Sequence, residues 1–230
     1  MALSDDEKTL LGRLQLKVMR TERRNRVLEA YYEGEQRVEQ LGLAIPPELR
    51  RFLTIVAWPG TYVDALSERI TLEGFELPDA TEADQDLWRI WQANSLDRES
   101  KLAHLEALKF GASFIVIGAG DQDSPDAPSA EGGDDDRPRD AAIPLITVES
   151  SNEMAVEWSP RTRRPIAAAK FYTDGPDSFA TLYLPDVTIW LERLNAQWTE
   201  SDRDEHELGV VPVVPITHRA GLSRRDGRSA

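Results

Sequence analysis

Apolar positions near the start of the chain recur every three or four residues. Leu10, Leu11, Leu14 and Val18 fall on one face at helical spacing. Ser4 followed by Glu7 has the spacing of a capping box, in which the hydroxyl accepts from an early helix N–H and the carboxylate accepts from the cap N–H. A helix is therefore predicted to start at Ser4. Its later turns are basic, with Arg20, Arg23, Arg24 and Arg26, and the pattern reads as a solvated face paired with Glu22 and Glu29 rather than a phosphate site. Pro46-Pro47 suits the first turn of another helix, on which Leu49, Phe52, Leu53 and Val56 repeat at i, i+3, i+4 and i+7. Trp58-Pro59-Gly60 is expected to break or kink that helix before a second piece carrying Tyr62, Val63, Leu66 and Ile70. Residues 71–78 read as extended. Thr81 with Asp84 then caps a helix whose Leu87, Trp88, Ile90 and Trp91 make a broad aromatic face expected to fill core. Asp97 is expected to cap the next helix, which bears Leu102, Leu105 and Leu108 and ends at Gly111 as its C′ residue.

From Ala112 the period shortens to that of strands: Phe114 to Ile117, Leu145 to Val148, Met154 to Trp158, Ala167 to Tyr172, Ala180 to Leu184 and Thr188 to Leu194. Val210 to Ile216 carries Pro212 and Pro215, which suits an edge strand. Helices first and mainly antiparallel strands second predict an α+β fold, organised as a mainly helical region (residues 1–111), a β-rich region (residues 112–218) and a C-terminal tail (residues 219–230). Residues 120–140 interrupt the β-rich region with eight acidic side chains, two arginines, three prolines and three glycines, and no apolar residue larger than alanine. Such a stretch has nothing to offset the entropy of ordering, so a mobile surface insertion is expected there.

At 230 residues and 40% apolar content, with six tryptophans, the chain can bury a substantial core. No apolar run approaches the roughly 20 residues needed to cross a bilayer. The acidic start Met1-Ala2-Leu3-Ser4-Asp5-Asp6-Glu7 lacks the pattern of a secretory signal. The absence of cysteine removes disulfides and thiolate metal sites. A formal charge of −14 argues against tight sequence-reading of nucleic acid, yet an acidic wall could let DNA pass without sticking.

Chemical motifs are sparse. Gly118-Ala119-Gly120 follows a strand, but the third glycine of a dinucleotide loop would fall at Asp123, and Pro125 and Pro128 leave no room for the helix that must follow. Asp121 and Asp123 open like a calcium loop, but Pro125 replaces the next ligand and Gly132 stands where a bidentate Glu is needed. Asp134-Asp135-Asp136 reads as a solvated charge run; in a competing reading it holds Mg²⁺ for a nuclease or phosphoesterase. His104, His206 and His218 are far apart and none forms a His-Glu-x-x-His pair. With no Walker loop and no nucleophile elbow either, the residues assign no catalytic, cofactor-binding or metal-binding position, and no cofactor. A non-catalytic adaptor module is a further alternative.

Several ordered segments carry a resemblance. They include Tyr31-Tyr32-Glu33-Gly34-Glu35-Gln36, Ile45-Pro46-Pro47-Glu48-Leu49-Arg50, Trp58-Pro59 with Tyr62-Val63-Asp64-Ala65-Leu66, and Leu87-Trp88 with Trp91-Gln92-Ala93-Asn94. His104-Leu105-Glu106-Ala107-Leu108, Ile146-Thr147-Val148-Glu149-Ser150 and Ala180-Thr181-Leu182-Tyr183-Leu184-Pro185-Asp186 follow. Leu208-Gly209-Val210-Val211-Pro212-Val213-Val214-Pro215 and Ser223-Arg224-Arg225-Asp226-Gly227-Arg228-Ser229 complete the series. In order and spacing the chain resembles the N-terminal half of the portal proteins of long-tailed bacteriophages, especially those of actinobacteria. The resemblance implies a structural, non-enzymatic subunit of a dodecameric ring at one capsid vertex, with this half forming much of the wing. It implies as partners further copies of itself, the terminase large subunit, capsid and scaffold proteins, a head–tail adaptor, and double-stranded DNA passing non-specifically, and no membrane. Assembly is expected in the host cytoplasm. The family continues beyond Ser229 into stem and clip, so the end at Ala230 implies a fragment or a truncated product with exposed apolar surface and weak self-association.

Overall fold

A computed structural model describes residues 3–35, 57–78, 83–119, 143–222 and 225–230. The fold is α+β. Among the described residues four helices, α1 (Asp5–Tyr32), α2 (Trp58–Ser67), α3 (Gln85–Ala93) and α4 (Leu96–Phe110), precede eight strands. These are β1 (Ala112–Gly118), β2 (Leu145–Ser150), β3 (Met154–Trp158), β4 (Pro165–Asp174), β5 (Asp177–Tyr183), β6 (Thr188–Leu194), β7 (Gln197–Asp204) and β8 (Val213–Thr217). They form a three-stranded sheet in the order β2-β1-β8 and a five-stranded meander β3-β4-β5-β6-β7, antiparallel throughout.

The capping box starts α1 as its spacing requires. Ser4 Oγ accepts from the Glu7 N–H at 3.3 Å, and the Ser4 N–H donates to Glu7 Oε2 at 2.7 Å. Leu11, Leu14 and Val18 then pack onto Ala155, Ala167, Ala169, Ala180, Leu182, Ile189 and Leu191 of the five-stranded sheet. The alanines hold the helix close to the strands because they fill little of the gap between them. Across the sheet, Met154, Val156 and Ala168 meet Phe114 and Val116 of β1 and Val213 of β8 in a second core. The strand β4 is thus covered on both faces, which is why Ala167, Ala168 and Ala169 are all buried and alternation disappears there. α4 packs against β1 and β2, with Ser113 Oγ donating to the Ala103 carbonyl at 2.7 Å.

Several expectations change. The helix at Trp58 begins there: Ala57 is non-helical at φ −78° and ψ 47°, and Pro59 occupies the first turn, where its missing N–H has no partner to lose. The helix expected before it, from Pro46 to Val56, lies outside the described residues, as do Thr81 and the acidic insertion. Asp84 caps α3 as expected, its carboxylate accepting from the Leu87 N–H at 2.8 Å. α4 starts from Ser95 in the left-handed region (φ 52°) without a side-chain cap, while Asp97, expected as that cap, accepts from Trp91 Nε1 at 2.9 Å. The aromatic face of α3 does not enter either core. No residue of α3 is buried, and Trp88 and Trp91 instead form a half-covered cluster with Phe75, at centroid distances of 6.3 and 5.5 Å. β7 was not expected, since Gln197-Trp198-Thr199-Glu200-Ser201-Asp202-Arg203-Asp204 offers almost no apolar period.

Candidate functional site

The densest long-range constellation lies where α1, β3, the end of α4 and the final residues converge. Lys17 Nζ donates to the Val156 carbonyl at 2.8 Å and to Asp226 Oδ1 at 2.9 Å, and Trp158 Nε1 donates to the same carboxylate oxygen at 3.0 Å. Two glycines let the backbones close up beside it. Gly111, the α4 C-cap at φ 96°, and Gly227, at φ 67°, approach so nearly that a Cβ on Gly227 would lie 2.0 Å from the Gly111 carbonyl oxygen. The Gly111 carbonyl also accepts from the His218 N–H at 2.9 Å, the Arg228 N–H donates to the His218 carbonyl at 2.8 Å, and the Ala230 N–H donates to the Leu108 carbonyl at 2.8 Å. Residues 225–230 are thereby held against both the helices and the sheets.

About two turns of helix further along α1, a buried polar group ties the helix to the β2–β3 turn. Asn25 Nδ2 donates to Ser151 Oγ at 3.0 Å and Asn152 Oδ1 at 2.8 Å, and Arg24 donates to the Phe110 carbonyl. Asn25 is 1% exposed, so these bonds meet a requirement that burial imposes. Of the predicted acidic partners of the basic turns, Glu22 pairs with Arg26, but Glu29 is taken by Lys109 of α4 at 2.9 Å. Lys109 also lies over the Tyr32 ring, 4.4 Å from its centroid. The Tyr32 hydroxyl donates to Asp64 at 2.7 Å, a bond to a carboxylate that pushes its pKa up to about 12. At the other end of α1, Arg203 of β7 reaches Glu7 at 3.1 Å and Glu200 at 3.0 Å.

These constellations join elements to one another. Gly118 ends β1, and the residues from Gly120 on, where a dinucleotide loop and its helix would have to follow, lie outside the described residues. Gly120, Asp121, Asp123 and Asp134 to Asp136 lie outside the described residues. His104 is on α4, His206 follows β7 and His218 follows β8; burial pulls the His104 pKa down. Among the described residues no group of three His, Asp or Glu side chains could hold a metal ion. A depression of about 410 Å³ between α1 and the β6–β7 turn is lined by Leu3, Lys8, Leu11, Gly12, Ala196, Gln197 and Trp198, so it holds one titratable group and no acid–base pair. No described helix is long and apolar enough to cross a membrane.

Lys17, Asn25, Asp226 and Gly227 were not singled out from the sequence. Their partners lie from 68 to 209 residues away, and no local period marks them.

The comparisons with known proteins agree with one another. The family profile described as "Phage portal protein, SPP1 Gp6-like" matches residues 18–221. Two relatives, the portal proteins of Mycobacterium phage D29 and Mycobacterium phage L5, are each 39% identical over 203 residues, which is 87% of this chain and 40% of theirs. The chain therefore spans about 40% of the length of these curated relatives.

Proposed function

Because the chain belongs to the SPP1 Gp6-like family of phage portal proteins, we propose that it serves as a structural, non-catalytic subunit of a ring at the portal vertex of a phage head. The observation that carries this reading is the span of the family match, which runs from within α1 through both sheets and past β8, and so takes in both cores. The architecture supports it. Several of its polar groups join helices to sheets, as Lys17 does to β3 and Asn25 to the β2–β3 turn, which suits a structural part.

In the proposed role the chain forms the wing, and the tail 219–230 leads the backbone towards the ring's inner regions. Genome DNA passes through the ring without sequence-specific contact, and the net charge of −14 disfavours phosphate capture. Terminase, capsid and scaffold proteins and a head–tail adaptor are the partners of the complete assembly, which forms in the host cytoplasm and ends in the virion.

Electron microscopy of the protein co-produced with its phage's capsid and scaffold proteins tests the proposal. Rings with a central hole are expected, built into one vertex of the shells. Particles of one or two chains only, or Mg²⁺-dependent cleavage of plasmid DNA by the purified protein, would overturn it.

A further inference from the structure

A surface helix of a folded domain shows one apolar stripe, yet α1 carries two. Opposite the stripe that enters the core, Leu16, Met19, Val27 and Tyr31 are 55%, 58%, 56% and 47% exposed. At 1.5 Å per residue they mark a line of about 22 Å along the helix. Arg20 and Arg23 stand on the same side, exposed and without an ion pair among the described residues. The face is apolar with a positive charge.

A second surface has the converse character. The segment after β7 exposes Leu208 and Val210 at 57% and 61%, beside the exposed carboxylates of Asp204, Glu205 and Glu207, which make no ion pair among the described residues. Its backbone is pinned. The Glu207 N–H donates to the Asp186 carbonyl at 3.1 Å, the Gly209 N–H to Asp186 Oδ1 at 3.0 Å and the Leu208 N–H to His206 Nδ1 at 3.3 Å. Glu207 itself is held at φ 50°, a left-handed conformation unusual for a residue with a side chain. A fixed backbone that keeps two aliphatic side chains in water costs stability and gives nothing to the isolated fold.

We propose that these two surfaces dock on each other between copies of this chain. The Leu16–Tyr31 face of α1 in one copy meets the 204–210 segment of the next, with Arg20 and Arg23 against Glu205 and Glu207 around an aliphatic centre. Charge complementarity selects a second copy as the occupant, since the chain carries both halves of the contact. In the ring reading the α1 face and the 204–210 segment of one copy serve two different neighbours, so the contact is head-to-tail and closes into a ring or continues as a filament. The assignment rests on the reading of the chain as a ring subunit and specifies its contact surfaces.

Sedimentation velocity of the 230-residue protein over a concentration series tests it, with two variants checked for folding by circular dichroism. One carries Arg20→Glu and Arg23→Glu, the other Leu208→Ser and Val210→Ser; all four side chains are exposed. The parent is expected to associate as concentration rises, less so in high salt, and each variant alone to associate at least tenfold more weakly. Mixed, the variants should give a 1:1 dimer and nothing larger, because each retains one intact surface. Variants that associate like the parent, or a mixture that stays monomeric, would overturn the surface assignment while leaving a self-assembling subunit in place. A parent that stays monomeric at every concentration would overturn the surface assignment, while the ring reading is decided separately by the electron microscopy of shells described above.

Discussion

An alanine methyl at Gly227 would sit 2.0 Å from the Gly111 carbonyl oxygen on a backbone at φ 67°, so it meets a backbone clash and a left-handed strain together. Gly227→Ala is expected to cost about 3 kcal/mol or more in urea unfolding. Gly118→Ala, whose methyl would meet nothing within 4 Å, should stay within about 0.5 kcal/mol of the parent. Asp226→Ala removes an acceptor shared by Lys17 and Trp158; because the carboxylate is nearly half exposed, the expected loss is only about 1 kcal/mol by the same measurement. The Glu7–Arg203–Glu200 group makes stability depend on pH. Burial pushes the Glu7 carboxyl up, but the hydrogen bond from Arg203 and those from Ser4 outweigh it, and the net direction is down; Glu200 is lowered chiefly by its bond from Arg203. A carboxyl whose pKa is lower in the folded chain gives its stability above the ordinary carboxylate range and loses it as pH falls through the folded value. The urea midpoint should therefore drop with acidification below that range, and Arg203→Gln should flatten the dependence. The three side chains are largely covered but sit at the edge of the fold rather than in a core, so the effect should be of order 1 kcal/mol.

Among the elements, α1 does the most, serving one core with its first half and the α4 and β2–β3 junction with its second. Its start depends on a local motif, and Ser4→Ala is expected to lower stability by about 1 kcal/mol, read from thermal or urea unfolding. That motif was legible because both partners lie within one turn. The strands of the cores were legible too, as runs such as Phe114 to Ile117 and Met154 to Trp158 hold apolar residues that burial on one or both faces demands. β7 was not, because its inward contacts are made by Trp198 on the α1 side of the sheet and by the guanidinium of Arg203, and a period drawn by charge pairing looks like a loop. Trp88 and Trp91 misled in the opposite sense: apolar spacing marks a face that wants cover, and does not say that a core is there to supply it. Asp97 is not the cap because the helix has already begun at Leu96, and its carboxylate accepts instead from Trp91, six residues earlier.

At the scale of the whole molecule, residues 225–230 join α1, α4, β3 and the segment after β8. Deleting 226–230 removes the Asp226 bonds and the backbone bonds of Arg228 and Ala230, and should lower the melting temperature by roughly 5–10 °C, at about 2–4 °C per kcal/mol for a chain of this size. Calorimetry or circular dichroism would show it, and an unchanged melting temperature would mean that the segment is only draped on the fold. The sequence by itself determined the fold class, most strand positions, the N-terminal cap and the family resemblance, because these depend on short-range period, turn chemistry and the order of segments. Tertiary structure alone decided what covers the apolar face of α1, that β4 is buried on both sides, and that Gly111 meets Gly227. Those facts depend on pairings between segments far apart in the sequence, where proximity is set by packing and leaves no trace in local pattern.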